Sequence, residues 1–183
     1  FDSFNELFEG ATIRLPDATV EDRIIGIKLT LRLTNIRCTE ILVGDILITY
    51  NRDSNQRLSY QVEVVDLDLT CYLDYRYDYG FVGGNGNAVA NTDNNDAVVA
   101  FAFTSTNFDQ APANDVIMES CTADVNVADL DFDGDWISSI LDIMERLIRG
   151  TVEGEIQSVA CGELTSLADG GLQNILDRVS DLV

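Results

Sequence analysis

Residues 116–182 set the terms for the rest of the chain, because two periodicities meet there. Cys121, Ala123, Val125 and Val127 alternate with Thr122, Asp124 and Asn126, the period of two of a half-buried strand. After the break at "DFDGDW" a helical period takes over. Trp136, Ile137, Ile140, Leu141, Met144, Leu147, Ile148, Val152, Ile156 and Val159 fall on one stripe, and Asp133 or Asp135 is placed to cap the first turn. About 25 residues of helix run about 37 Å. A stripe of that length cannot bury itself, so the rest of the chain must supply a sheet of matching length. The spacing predicts a strand over 116–132 and a helix over 135–165, with a cysteine on each.

The upstream sequence reads as that sheet. Ile25, Ile27, Leu29, Leu31 and Leu33 face in while Lys28, Thr30, Arg32 and Thr34 face out. The phase flips near Asn35, as at a bulge, so that Ile36 and Cys38 take the apolar role. A second strand covers 41–50, and "NRDSNQ" at 51–56 turns the chain. The next arm, 57–79, is far longer than the usual strand: Leu58 to Val64 alternate in one phase and Val65 to Tyr79 in the other. A strand so long is expected to twist and coil. Residues 80–96 read as a Gly/Asn loop and 97–104 as a further strand. The piece at 11–23, which contains Pro16, reads as short and extended. Residues 2–9 read as the end of a helix stopped by Gly10, and Leu172, Ile175, Leu176, Val179 and Leu182 as a short terminal helix. The fold class is α+β: a strongly coiled antiparallel sheet, a half-tubular barrel wrapped around one long C-terminal helix, in a single domain over 1–183.

Charge and residue usage narrow the function. Thirty-two acids against 11 bases leave a net charge of −21, a field that repels nucleic acid and anionic membrane surfaces. Histidine is absent, which removes the usual zinc sites and the usual Ser–His or Cys–His catalysis. No nucleophile has a base beside it, so no enzymatic activity and no resident cofactor are expected. Four cysteines, Cys38, Cys71, Cys121 and Cys161, show no CxxC spacing and allow three connectivities. Two buried disulfides compete with four buried thiols. Disulfides would place the chain outside the cell or in an endomembrane lumen. The chain opens at Phe1 without a methionine, as after removal of a signal peptide or as a fragment of a larger chain. The longest apolar run, "AVVAFAF" at 97–103, is too short to span a bilayer. No N-x-S/T sequon occurs.

"IRLPD" at 13–17 and the run from Cys121 through Gly134, Trp136 and Ile137 to Cys161 resemble the N-terminal barrel of the bactericidal/permeability-increasing and lipopolysaccharide-binding protein family, in the tubular lipid-binding (TULIP) superfamily. The resemblance covers about two-thirds of the chain. It implies a disulfide between Cys121 and Cys161 and an apolar tunnel for an acyl-chain lipid such as a phospholipid or fatty acid. Cys38 and Cys71 lie outside that pattern and would join two adjacent strands. Two features depart from the family: its barrel starts with a long helix, for which only residues 2–9 are available, and Asp135 separates Gly134 from Trp136. The cationic members bind lipopolysaccharide with clustered lysines. A chain whose one lysine is Lys28 is not expected to bind it by that mechanism.

The candidate lipid wall is the set of inward positions facing the helix: Leu29, Leu31, Leu67, Leu69, Phe101, Phe103, Val127, Trp136, Ile140, Met144 and Leu147. The same rows would equally make a filled core. The alternative function is therefore a structural one, an acidic disulfide-stapled subunit packed beside others in an extracellular or surface assembly. Gly150, Gly154 and Gly162 in the helix point to close approach of a backbone, the chain's own or a neighbour's. Asp129, Asp131 and Asp133 match the first half of an EF-hand loop, but Ile140 stands where a bidentate Glu is required. The stretch reads better as a solvated turn with a helix cap, with calcium as the minor alternative. Asp93, Asn94, Asn95 and Asp96 are a second such group in the 80–96 loop. Tyr75, Tyr77 and Tyr79 share a strand face and make either a core end or a contact patch.

Overall fold

The computed structural model describes residues 11–52, 58–104, 115–134 and 140–166. The expected helices at 2–9 and 172–182, residues 53–56 of the turn expected at 51–56, and Trp136 and Ile137 lie outside them, while Asn51 and Arg52 belong to a strand. The elements run β1 Ile13–Arg14, β2 Ala18–Ile24, β3 Ile27–Arg52, β4 Leu58–Tyr79, β5 Val82–Thr92, β6 Asn95–Thr104, β7 Asp115–Asp124, β8 Val127–Gly134 and α1 Leu141–Ser166. The strands form one open eight-stranded sheet in the order β1-β3-β4-β5-β8, with β2 beside β3, β6 beside β4, and β7 beside β6. Every register determined is antiparallel.

Strand phase follows backbone handedness. Leu29, Leu31 and Leu33 are buried, then Ile36 and Cys38, then Ile41 and Val43. The two switches fall at Asn35 and Glu40, both with φ near +55°. A single left-handed residue consumes one position of the ladder and turns the next side chain to the other face. The expected strands 25–38 and 41–50 are therefore one strand, bent rather than broken at residue 40. The slip in β4 falls at Asp66, φ +54°.

Three expectations are corrected. Residues 82–92 are a strand, paired with β4 from Tyr79↔Val82 to Thr70↔Asn91. Its glycines answer a packing demand: a Cβ on Gly86 would run into the Asp133 carbonyl oxygen, and one on Gly134 would lie 2.6 Å from Gly86 Cα. Residues 116–132 are two strands, interrupted at 125–126. Ile25 does not face inward: with Gly26 it forms the β2–β3 turn, flanked by the pair Ile24↔Ile27.

The chain divides into two compact units. The first takes the residues to Val43, Asp66–Asn95 and Val125–Ile156. Its core holds the β3 row, Leu69, Cys71, Leu73, Tyr75 and Tyr77 of β4, and the helix row Ile140, Met144, Ile148, Val152 and Ile156. These helix positions step by four residues, about 40° beyond one turn each time, so the buried row winds around α1. Cys38–Cys71 joins β3 to β4, with Cα atoms 3.9 Å apart. The second unit takes Gly44–Val65, Asp96–Asp124 and the chain from Gln157. Val99, Phe101 and Val116 form its core cluster, with Val62, Phe103 and Met118 packed against it. Cys121–Cys161 ties β7 to α1 within that unit, Cα atoms 5.7 Å apart. Both expected disulfides are present.

Candidate functional site

Eight of the eleven candidate wall residues lie in the first unit. Leu29, Leu31, Leu69, Val127, Ile140 and Met144 are buried, and Leu67 and Leu147 half-buried. Helix and sheet meet at both sheet edges there. Arg146 Nη2 pairs with Asp22 Oδ2 of β2 at 3.2 Å. On β8, the Val127 N–H donates to Glu153 Oε1 at 2.9 Å, while Arg149 donates to the Val127 and Ala128 carbonyls. Glu145 holds that guanidinium at 2.7 Å, one helical turn away. Phe101 and Phe103 belong to the second unit. Phe101 is buried in its core, and Phe103 meets the Tyr60 ring edge-on at 5.5 Å.

Where the long strands are interrupted, a side chain absent from the candidate wall carries the geometry. Asn95 is 1% exposed. Its amide nitrogen donates to the Leu67 carbonyl and, at 2.7 Å, to Thr92 Oγ1. Its oxygen accepts the Asn126 N–H at 2.7 Å. Asn126 in turn accepts from the Asp93 N–H. Asn95 thus links three chain segments and spends its polar atoms doing so, which answers the suggestion that it serves a cation. Nearby, burial pushes the Asp68 carboxyl above the usual carboxylate range, and the charge of Asp93 adds to this. The backbone N–H of Asn94 acts against the shift, and Asp66 raises it further. Asp68 Oδ1 is buried without a hydrogen-bond partner.

Asp129, Asp131 and Asp133 occupy alternate positions of β8, opposite Asn91, Val89 and Asn87. Steps of about 6.8 Å along a strand spread them out instead of curling them around one point. Among the described residues no group of three or more His, Cys, Asp or Glu side chains is placed to hold a metal ion. Tyr75 and Tyr77 are core residues, Tyr75 edge-on to Phe132 at 5.7 Å.

A concavity of about 1080 Å³ opens in the first unit, lined in part by exposed Arg14, Arg37, Tyr72, Asn87, Asp131 and Asp133. Arg14 and Arg37 stand opposite each other on β1 and β3. Asn35 bridges its floor, donating from its amide nitrogen to Asp74 at 2.6 Å and from its backbone to Asp17 at 3.1 Å. None of the candidate wall residues lines this space. Leu15, Ile36, Leu73, Ala88, Val89 and Phe132 line it as well, so its wall is mixed in polarity. The helix glycines Gly150, Gly154 and Gly162 are exposed, and a Cβ on any of them would meet nothing within 4 Å. Among the described residues, no close backbone approach accounts for them.

No family model and no curated protein matches the sequence. Among solved structures, the chain is similar to lipopolysaccharide binding protein, with a TM-score of 0.63 at 13% identity. That likeness covers 88% of this chain but 35% of the other, so this chain spans about a third of that protein's length. Takeout 1 of Epiphyas postvittana is a looser match, TM-score 0.40 at 14% identity over 93% of this chain and 81% of that one. The likeness to lipopolysaccharide binding protein is one of fold.

Proposed function

We propose that the protein is a secreted, non-enzymatic lipid-binding protein that holds an acyl chain between α1 and the inner face of the sheet. The observation that carries this is the attachment of one helix to both sheet edges of the first unit, through Asp22 on β2 and Val127 on β8. Four strand spacings separate those edges, about 19 Å if flat. We read the contacts as a sheet curled over the helix, with an apolar channel along the winding row from Ile140 to Ile156. The fold is shared with a protein named for binding lipopolysaccharide. An acyl-chain ligand is what carries over. Recognition of an anionic headgroup by clustered lysines does not, because the net charge is −21 and Lys28 is the one lysine. Two disulfides suit an oxidising compartment.

A structural subunit without a ligand is the second reading. It is favoured by the complete burial of Leu29, Leu31 and Met144 by protein atoms alone, as in a filled core. Met144→Trp separates the two. In a channel the indole displaces the acyl chain, so co-purified lipid disappears and the melting temperature is retained. In a filled core the added volume overpacks by about 1–3 kcal/mol and lowers the melting temperature.

A further inference from the structure

The outer face of the sheet in the first unit, opposite the buried row of Ile36, Cys38, Cys71 and Leu73, carries side chains in rungs that cross the strands. One rung is graded in charge. Arg14 stands opposite Arg37, Tyr72 opposite Val89, and Val89 opposite Asp131. The Cys38–Cys71 disulfide and the hydrogen bond from Asn35 to Asp74 fix the remaining step, setting Arg37 beside Tyr72. From β1 to β8 the rung therefore reads base, base, aromatic, apolar, acid. All five side chains line the concavity of about 1080 Å³.

The basic end is unusual for this chain. Like charges directly opposite each other on neighbouring strands repel, and a net charge of −21 leaves acids in excess for pairing. Lys28, Arg32, Arg146 and Arg149 each have a carboxylate partner. Among the described residues Arg14 and Arg37 have none. Asp17 and Asp74 share the concavity with them, but these accept the Asn35 backbone N–H and side-chain amide instead. At the far end Asp131 and Asp133 sit at alternate positions of β8, both exposed and both lining the same space.

We propose that this rung binds a short peptide with free ends, laid across the strands. Its C-terminal carboxylate sits between the Arg14 and Arg37 guanidiniums, whose planar forks match a carboxylate. Its N-terminal ammonium faces Asp131 and Asp133. Asp131 is three strand spacings from Arg37 and four from Arg14, about 14 and 19 Å if flat. An extended chain covers that span with four or five residues. Tyr72, 37% exposed, and half-buried Val89 offer the middle of the rung to an aromatic or apolar side chain. A polyanion fits poorly, because the acids at the β8 end repel its remaining charge. A simple anion leaves that acidic end unused. The rung lies on the face opposite the core, so it does not rest on the lipid-binding reading, and loss of lipid in Met144→Trp leaves it standing.

The test is isothermal titration calorimetry of the full chain with the peptides Ala-Phe-Ala-Ala and Ala-Ala-Phe-Ala-Ala, each also N-acetylated or C-amidated. In wild type either block should weaken binding about tenfold, the loss of one charge-assisted contact. In Arg14→Gln with Arg37→Gln, amidation should cost nothing further while acetylation still costs about tenfold. In Asp131→Asn with Asp133→Asn the dependence should reverse. All four side chains are exposed, so both double variants should melt within about 2 °C of wild type, which separates lost binding from lost folding. No binding of either free-ended peptide at millimolar concentration would overturn the proposal. So would binding that survives both double variants, or that ignores both blocks. Acetate or inorganic phosphate bound as tightly as the peptides would also overturn it, and would assign Arg14 and Arg37 to a simple anion.

Discussion

Replacing Asn95 by alanine removes three hydrogen bonds at the point where the long strands are interrupted. The bonds go to the Leu67 carbonyl, to Thr92 Oγ1 and from the Asn126 N–H. Thr92 Oγ1 keeps its contacts to the Leu69 backbone, so it is the least affected partner. The Leu67 carbonyl and the Asn126 N–H each lose a side-chain partner. At about 1 kcal/mol net per bond, the expected loss is about 3 kcal/mol. For a chain of this size that is a fall of about 6–12 °C in melting temperature, and urea titration should show the lower midpoint with an unchanged slope. Asn95→Asp should be worse than Asn95→Ala at neutral pH, since it loses both donors and sets a third carboxylate near Asp68 and Asp93. A fall of less than about 2 °C in Asn95→Ala would refute the role assigned to this side chain.

Asp68→Asn should stabilise the protein at neutral pH and leave it unchanged in acid. The folded-state pKa of Asp68 is raised, so its contribution is present below the ordinary carboxylate range and is lost as pH rises through the raised value. Melting temperatures across pH 3 to 8 should diverge in the variant's favour on the alkaline side; parallel curves would contradict this. Cys121→Ser with Cys161→Ser opens a loop of 40 residues and should cost about 4 kcal/mol in the chain-entropy model. The Cys38→Ser and Cys71→Ser pair, 33 residues apart, should cost nearly as much, as read by denaturant midpoints under non-reducing conditions.

Much of the sheet is legible in the sequence because burial on one face forces a period of two. Three changes of phase mark left-handed residues: Asn35, Glu40 and Asp66. The helix row is legible for the same reason, at a period near four. What misleads is glycine. Gly83, Gly84 and Gly86 look like a loop, yet Gly86 faces Gly134 across the ladder so closely that neither tolerates a Cβ. Only a tertiary contact distinguishes those cases. Ile25 misleads in the opposite way, since apolar alternation runs on through a turn that Gly26 alone betrays. Asn95 gives no local sign of its burial, because a polar residue in a polar stretch reads as solvated. The candidate wall was found as a set of inward positions, but inward rows look alike whether they enclose lipid or only one another.

The direct test of the central claim is native mass spectrometry of the protein purified from a secretory host without detergent, followed by organic extraction of the same sample. The predicted result is a mass increment for one acyl-chain lipid per chain, recovered on extraction and identified by its fragments. A protein at its bare polypeptide mass, which also fails to take up a fluorescent fatty acid or phospholipid in solution, would contradict the lipid-binding reading and leave a structural subunit in its place.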